Sequence, residues 1–110
     1  MMKLLTKEVE NKFRKFPYLS QDGKGFEAEV LVRYFNPCGA GDWIIIEADE
    51  TDNDWILFGY CSIGYGYELG SVSFNELQSI RLPYGLRIER DLHLEEHTKV
   101  SDLITENDLM

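Results

Sequence analysis

Basic side chains are in short supply: the 110 residues hold 11 Lys and Arg against 20 Asp and Glu, a net charge of −9 at pH 7. Phosphate backbones and anionic lipids attract Lys and Arg, so this balance disfavours direct binding to nucleic acid or to a membrane surface and favours a basic partner. Cysteine is scarce too. Cys38 and Cys61 form no CxxC pattern, which suits two free thiols in a reducing compartment better than a disulfide framework. Long apolar runs are missing, and the start MMKLL is too short for a signal core, so the expected location is the cytoplasm.

What is there is enough for a folded chain. Apolar residues at 44% and aromatics at 13% rule out the apolar poverty of disorder, and the length fits one domain spanning 1–110, with a polar tail from about residue 97. The charge is uneven: residues 1–24 carry six basic and three acidic side chains, against five and seventeen in 25–110. Only the first element could meet a phosphate comfortably.

Leu5, Val9, Phe13 and Phe16 recur at helical spacing, with Thr6 placed to cap and Pro17 to terminate, which predicts a helix over 6–16. Alternation and β-branched runs predict strands at 28–35, 42–48, 55–61, 67–73 and 86–92, with DETDND as an acidic hairpin loop. Ser73-Phe74-Asn75-Glu76 has the form of a capping box opening a helix near 74–80, with Leu77 and Ile80 toward the core. The tail has the composition of a terminal helix. The expected fold is α+β: a mainly antiparallel sheet of about five strands, an N-terminal helix, and one short helix packed on it.

Motifs in this chain mostly fail on context. Gly64-Tyr65-Gly66-Tyr67-Glu68-Leu69-Gly70 lacks the last spacing of a dinucleotide fingerprint and precedes a strand pattern, so it reads as a hairpin turn whose glycines supply positive φ. His93-Leu94-Glu95-Glu96-His97 matches the inverted zinc-protease pattern literally. That chemistry needs a stable helix and a third ligand, and the segment follows a strand with thirteen residues remaining, so two solvated histidines are the better reading. Residues 49–54 lack the glycine and closing glutamate of a calcium loop. No metal and no cofactor is implied, and no serine or cysteine sits in a nucleophile elbow.

Two sets of residues are left as binding candidates. One is the acidic surface of Asp49, Glu50, Asp52 and Asp54; the other is Glu68, Glu89, Arg90 and Asp91. Strand alternation puts Arg90 with Leu86 and Ile88, and Glu68 with Val72, so a buried Glu68–Arg90 ion pair is expected to satisfy both charges.

The chain resembles a family of uncharacterised small proteins of bacterial plasmids, phages and conjugative elements, known as domain of unknown function 2958. The resemblance rests on LLTKEV, DWIIIEAD, LFGYCSIGYGYELGSVSFNEL and GLRIERDLH, and it runs along most of the chain. By it, Phe58, Gly59, Glu68, Leu69, Gly70, Glu76, Leu77, Glu89, Arg90 and Asp91 occupy motif positions, while the tyrosine-rich turn departs from the usual pattern. The resemblance implies an accessory protein of a mobile element in a bacterial cytoplasm, and no reaction.

Three functions follow. The favoured one is a non-enzymatic protein-binding module that engages a basic host protein, with imitation of DNA charge toward a restriction or defence protein as one form of it. The second is an enzyme or nucleic-acid-processing accessory built on Glu68, Glu89, Arg90 and Asp91, for which no complete set of catalytic roles assembles. The third is a structural or oligomeric role for Trp43, Trp55, Tyr60, Tyr65 and Tyr67. Sequence leaves the oligomeric state open.

Overall fold

The computed structural model describes residues 2–110. Helix α1 (Lys7–Lys15) begins where the Thr6 hydroxyl accepts the Val9 amide at 3.2 Å, and it ends before Pro17, which has no amide to continue it. Its apolar stripe buries Val9 and Phe13, with the Phe13 ring 5.2 Å from that of Trp55.

Five strands form one antiparallel sheet. They are β1 (Val32–Phe35), β2 (Asp42–Thr51), β3 (Asp54–Ser62), β4 (Glu68–Ser73) and β5 (Glu89–Arg90), in the spatial order β4-β3-β2-β1-β5. Between β4 and β5 lies helix α2 (Phe74–Ser79), opened by Ser73, whose hydroxyl accepts the Glu76 amide. The α+β architecture read from the sequence is the one observed.

α1 and α2 cover one face, over Val32, Tyr34, Ile45, Trp55 and Leu57. On the other face, Ala28, Val30, Ile44, Ile46 and Tyr60 pack with Val100 and Ile104. The tail is therefore no polar appendage. Thr98 and Val100 exchange backbone bonds with Val30 and Ala28 at 2.7 and 3.0 Å, and two 3₁₀ turns, Val100–Asp102 and Glu106–Asp108, replace the expected terminal helix. Replacing Val100 with alanine is expected to cost about 1–3 kcal/mol, read as a lower urea midpoint at unchanged m, because it removes fully buried methyls from this second core.

Several boundaries differ from the pattern reading. Residues 28–30 bond to the tail instead of extending β1, Leu31 donates to the Ile45 carbonyl of β2, and 86–92 contracts to β5, where Glu89 and Arg90 pair with Phe35 and Tyr34. Ile80 caps α2 and is exposed, since the helix ends a residue early. The acidic hairpin is tighter than expected: Thr51 pairs with Asp54, so only Asp52 and Asn53 lie outside the ladder, Asn53 at a φ of 59°. The 63–67 turn does use positive φ at Gly64 and Gly66.

A β-bulge interrupts β2. Ile45 pairs with Gly59 and Glu47 with Phe58, which leaves Ile46 unpaired and directs both Ile46 and Glu47 to the face opposite α1.

Candidate functional site

The tail and residues 26–31 cover the second face over β1 and β2. Over β3 and β4 that face stays open, and a cleft of about 670 Å³ lies there. Phe58 and Tyr60 of β3 and Leu69 and Ser71 of β4 form its floor, while Tyr18, Leu19, Gln21, Asp22, Gly23 and Gly25 form its wall.

The wall is a chain of turns fixed by buried polar groups. Glu47, which the bulge turns inward, is only 6% exposed, and its two carboxylate oxygens accept the Leu19 and Gln21 amides at 2.9 Å each. Gln21 is buried as well: its amide nitrogen donates to the carbonyls of Ile46 and Glu29 at 2.7 and 2.8 Å, and its oxygen accepts the Glu29 amide at 2.7 Å. Asp49 accepts the Tyr18 amide at 3.0 Å, and Leu19 takes a φ of 72° between these anchors. The Tyr18 ring then stacks on Phe58 with centroids 4.5 Å apart. The charged side chains lining the cleft are Asp22 and Glu47, and no basic side chain lines it.

A second polar cluster lies on strands β1 and β2. Arg33 donates to Asp42 at 2.7 Å and to Asp91 at 3.2 Å, and the Tyr67 hydroxyl donates to the other oxygen of Asp42. Burial works against the Arg33 charge, but hydrogen bonds and attraction from Asp42 and Asp91 outweigh it and raise its pKa. Burial, and after it the bond to Asp42, pushes the Tyr67 phenol up. This is a satisfied network with no free base or nucleophile.

The sequence-derived candidates are dispersed. Glu68 is exposed at the start of β4 and Arg90 sits in β5, at opposite edges of the sheet with three strands between them, so the expected Glu68–Arg90 pair does not form. Arg90 instead donates to the Lys3 carbonyl at 3.2 Å, Asp91 pairs with Arg33, and Glu89 is half-buried beside Phe35. In the other set, Glu50 pairs with Arg14 at 3.0 Å, Asp49 holds Tyr18, and Asp52 is exposed at the turn. Asp54 accepts the Ser73 hydroxyl and the amides of Trp55 and Asn75, joining the hairpin to α2.

Slight burial of Asp54 favours its neutral acid, but the bonds from Ser73, Asn75 and Trp55 outweigh this and lower its pKa from 3.8. A lowered folded-state pKa gives stability that is fully present above the unfolded value and is lost as pH falls below it, through the folded value. Urea midpoints taken from neutral pH into the acid range are therefore expected to fall less steeply for Asp54→Asn than for the wild-type chain, since the variant has no carboxylate there to protonate.

Both histidines are exposed, and 93–97 is a pair of turns in which His97 takes a φ of 62°, so the two rings do not share a helix face. Among the described residues no three His, Cys, Asp or Glu side chains converge as a metal site. Cys38 and Cys61 are both free thiols. Burial, and after it the Asp42 and Glu68 charges, pushes the Cys61 thiol up to about 11, whereas Cys38 is exposed. At neutral pH a thiol reagent is expected to modify Cys38 first, with Cys61 reacting only on unfolding; mass-spectrometric mapping checks the order.

Glu47 and Gln21 escaped the sequence reading. One signal was present: a carboxylate inside the run Trp43-Ile44-Ile45-Ile46-Glu47-Ala48, where every residue from 44 to 48 is buried.

A sheet covered on one face, half-open on the other and furnished there with a carboxylate-walled aromatic cleft defines a small α+β protein. The chain belongs to the DUF2958 family, described as "protein of unknown function", whose model matches residues 4–108. Comparison with curated proteins and with solved structures finds no match. The segment from Leu57 to Leu77 that carried much of the resemblance builds most of β3, all of β4 and most of α2, and so the cleft floor. No helix is long and apolar enough to cross a membrane among the described residues.

Proposed function

We propose that this protein is a non-enzymatic protein-binding module that takes a lysine or arginine side chain of a basic partner into the cleft over β3 and β4. The observation that carries the reading is the buried Glu47 carboxylate on the wall of a cleft floored by Phe58 and Tyr60 and lined by no base. Aromatic faces attract a cation, and a carboxylate in a partly dry site attracts it more strongly than one in water. The net charge of −9 adds steering toward basic surfaces.

The partner in this reading is a host protein in the bacterial cytoplasm, with a restriction or defence protein met by a mobile-element product as one instance. The 49–54 hairpin is a poorer site, because Glu50 is already paired with the Arg14 cation and none of its carboxylates lines the cleft. Catalysis by Glu68, Glu89, Arg90 and Asp91 lacks a geometry that brings the four together.

A labelled pentalysine peptide tests the site, with pentaglutamate as control. Amide shifts at Tyr18, Glu47 and Phe58 and about tenfold weaker binding by Glu47→Gln, with folding confirmed by its urea midpoint, are the expected results. Equal binding by that variant, or shifts confined to the 49–54 hairpin, would remove the cleft as the site.

A further inference from the structure

The two edges of the sheet are unequal. β5 is two residues long, both charged, and its Arg90 amide points at the Met2 sulfur at 3.1 Å, which is how natural edges are blunted. β4 is six residues long, and Glu68, Leu69, Gly70 and Ser71 are all exposed in it. It carries no proline, lysine or bulge.

That edge already accepts a strand at one end. The Tyr67 amide donates to the Asp108 carbonyl at 2.7 Å and its carbonyl accepts the Met110 amide at 2.8 Å, in a parallel bridge between Tyr67 and Leu109. Tyr67 therefore turns its backbone groups away from β3. Alternation along the strand turns those of Leu69 and Ser71 the same way, whereas Glu68, Gly70 and Val72 face the ladder with Cys61, Gly59 and Leu57. Leu69 and Ser71 also line the cleft, so a strand laid beside them would hang alternate side chains over it.

We infer that an extended segment of a basic polypeptide adds to β4 as a sixth strand, bonding to the outward backbone of Leu69 and Ser71 and directing a cationic side chain into the cleft. This rests on the cleft reading above and names its mode of recognition, in which main-chain bonds supply affinity and alternate side chains supply selectivity. Charge selects the occupant. Glu68 and Asp108 flank the open edge, and a second copy of a chain of net charge −9 would bring like charges together.

The probe is a nine-residue peptide of alternating lysine and valine, compared with its glutamate–valine counterpart and with a version N-methylated at alternate residues on its bonding edge. The lysine–valine peptide is expected to bind, to slow amide exchange at Leu69 and Ser71, and to lose at least about tenfold in affinity on N-methylation. Ser71→Pro should weaken it similarly at an unchanged urea midpoint, because that amide faces outward and the β3 ladder does not need it. If Ser71→Pro does not fold, the N-methylated peptide decides.

Unchanged affinity on N-methylation, no added protection at Leu69 and Ser71, or equal binding of the glutamate–valine peptide overturns the inference. Pentalysine still reaching the cleft in that case leaves side-chain capture standing without strand addition; the converse pattern removes the cleft and keeps the edge. Protection at Leu69 and Ser71 that rises with protein concentration and needs no peptide would assign the edge to a second copy, again overturning it.

Discussion

Gly59→Ala is expected to remove most of the protein's stability, whereas Gly70→Ala, its cross-strand neighbour, is expected to be nearly neutral. A Cβ built on Gly59 would lie 1.9 Å from the Ile44 carbonyl oxygen and 2.8 Å from its carbon, both backbone atoms that no rotamer change can move. A Cβ on Gly70 meets nothing within 4 Å. The contrast comes from the bulge: the backbone of β2 at Ile44 and Ile45 crowds β3 just where the extra residue enters. Relief requires β2 and β3 to part at the centre of the sheet, so the cost should exceed the ~1–3 kcal/mol of ordinary overpacking. Against a total stability of about 5–15 kcal/mol, such a loss is readily seen in urea denaturation. The surface change should stay within about 0.5 kcal/mol. Equal midpoints for the two variants would mean that β2 does not approach β3 in this way.

Gln21→Leu is the second large effect, and it should act on stability and on the cleft together. The side chain is nearly the right size, but it abandons three hydrogen bonds and leaves the Glu29 amide and the carbonyls of Glu29 and Ile46 without that partner. Each buried backbone group left unpaired costs about 1–3 kcal/mol, so a loss of several kcal/mol is expected. Because Gln21 joins residue 29 to the bulge, the 18–25 wall should loosen. Hydrogen exchange at Leu19 and Gln21, whose amides reach Glu47, is expected to quicken even where the sheet stays protected. A midpoint and exchange pattern like those of the wild type would show that the loop is held by something else.

The helices were legible because their signals are local. Thr6 and Ser73 cap within three residues of their partners, and the strands announce themselves through β-branched and aromatic runs. The tail was misread because Val100 and Ile104 are sparse apolar residues among polar ones, and their burial depends on Ala28 and Val30 far away in the chain. Alternation placed Glu68 and Arg90 on strand faces but carries no information on strand order, and order puts them at opposite edges. The cleft was hidden for the same reason: Glu47 and Gln21 are 26 residues apart, and the bulge that turns Glu47 inward is one unpaired residue in an unbroken apolar run.

The clasp between residues 28–30 and 98–100 also bears on how the chain acquires its shape. Contacts this distant in sequence must wait for loop closure, which makes the second face of the sheet a late event compared with the β2–β3 hairpin. During synthesis, Val30, Ile44 and Ile46 have no cover until Val100 and Ile104 have left the ribosome. The nascent chain thus carries its most adhesive strands bare until this clasp closes, and residues 98–104 are the ones that put the hazard away.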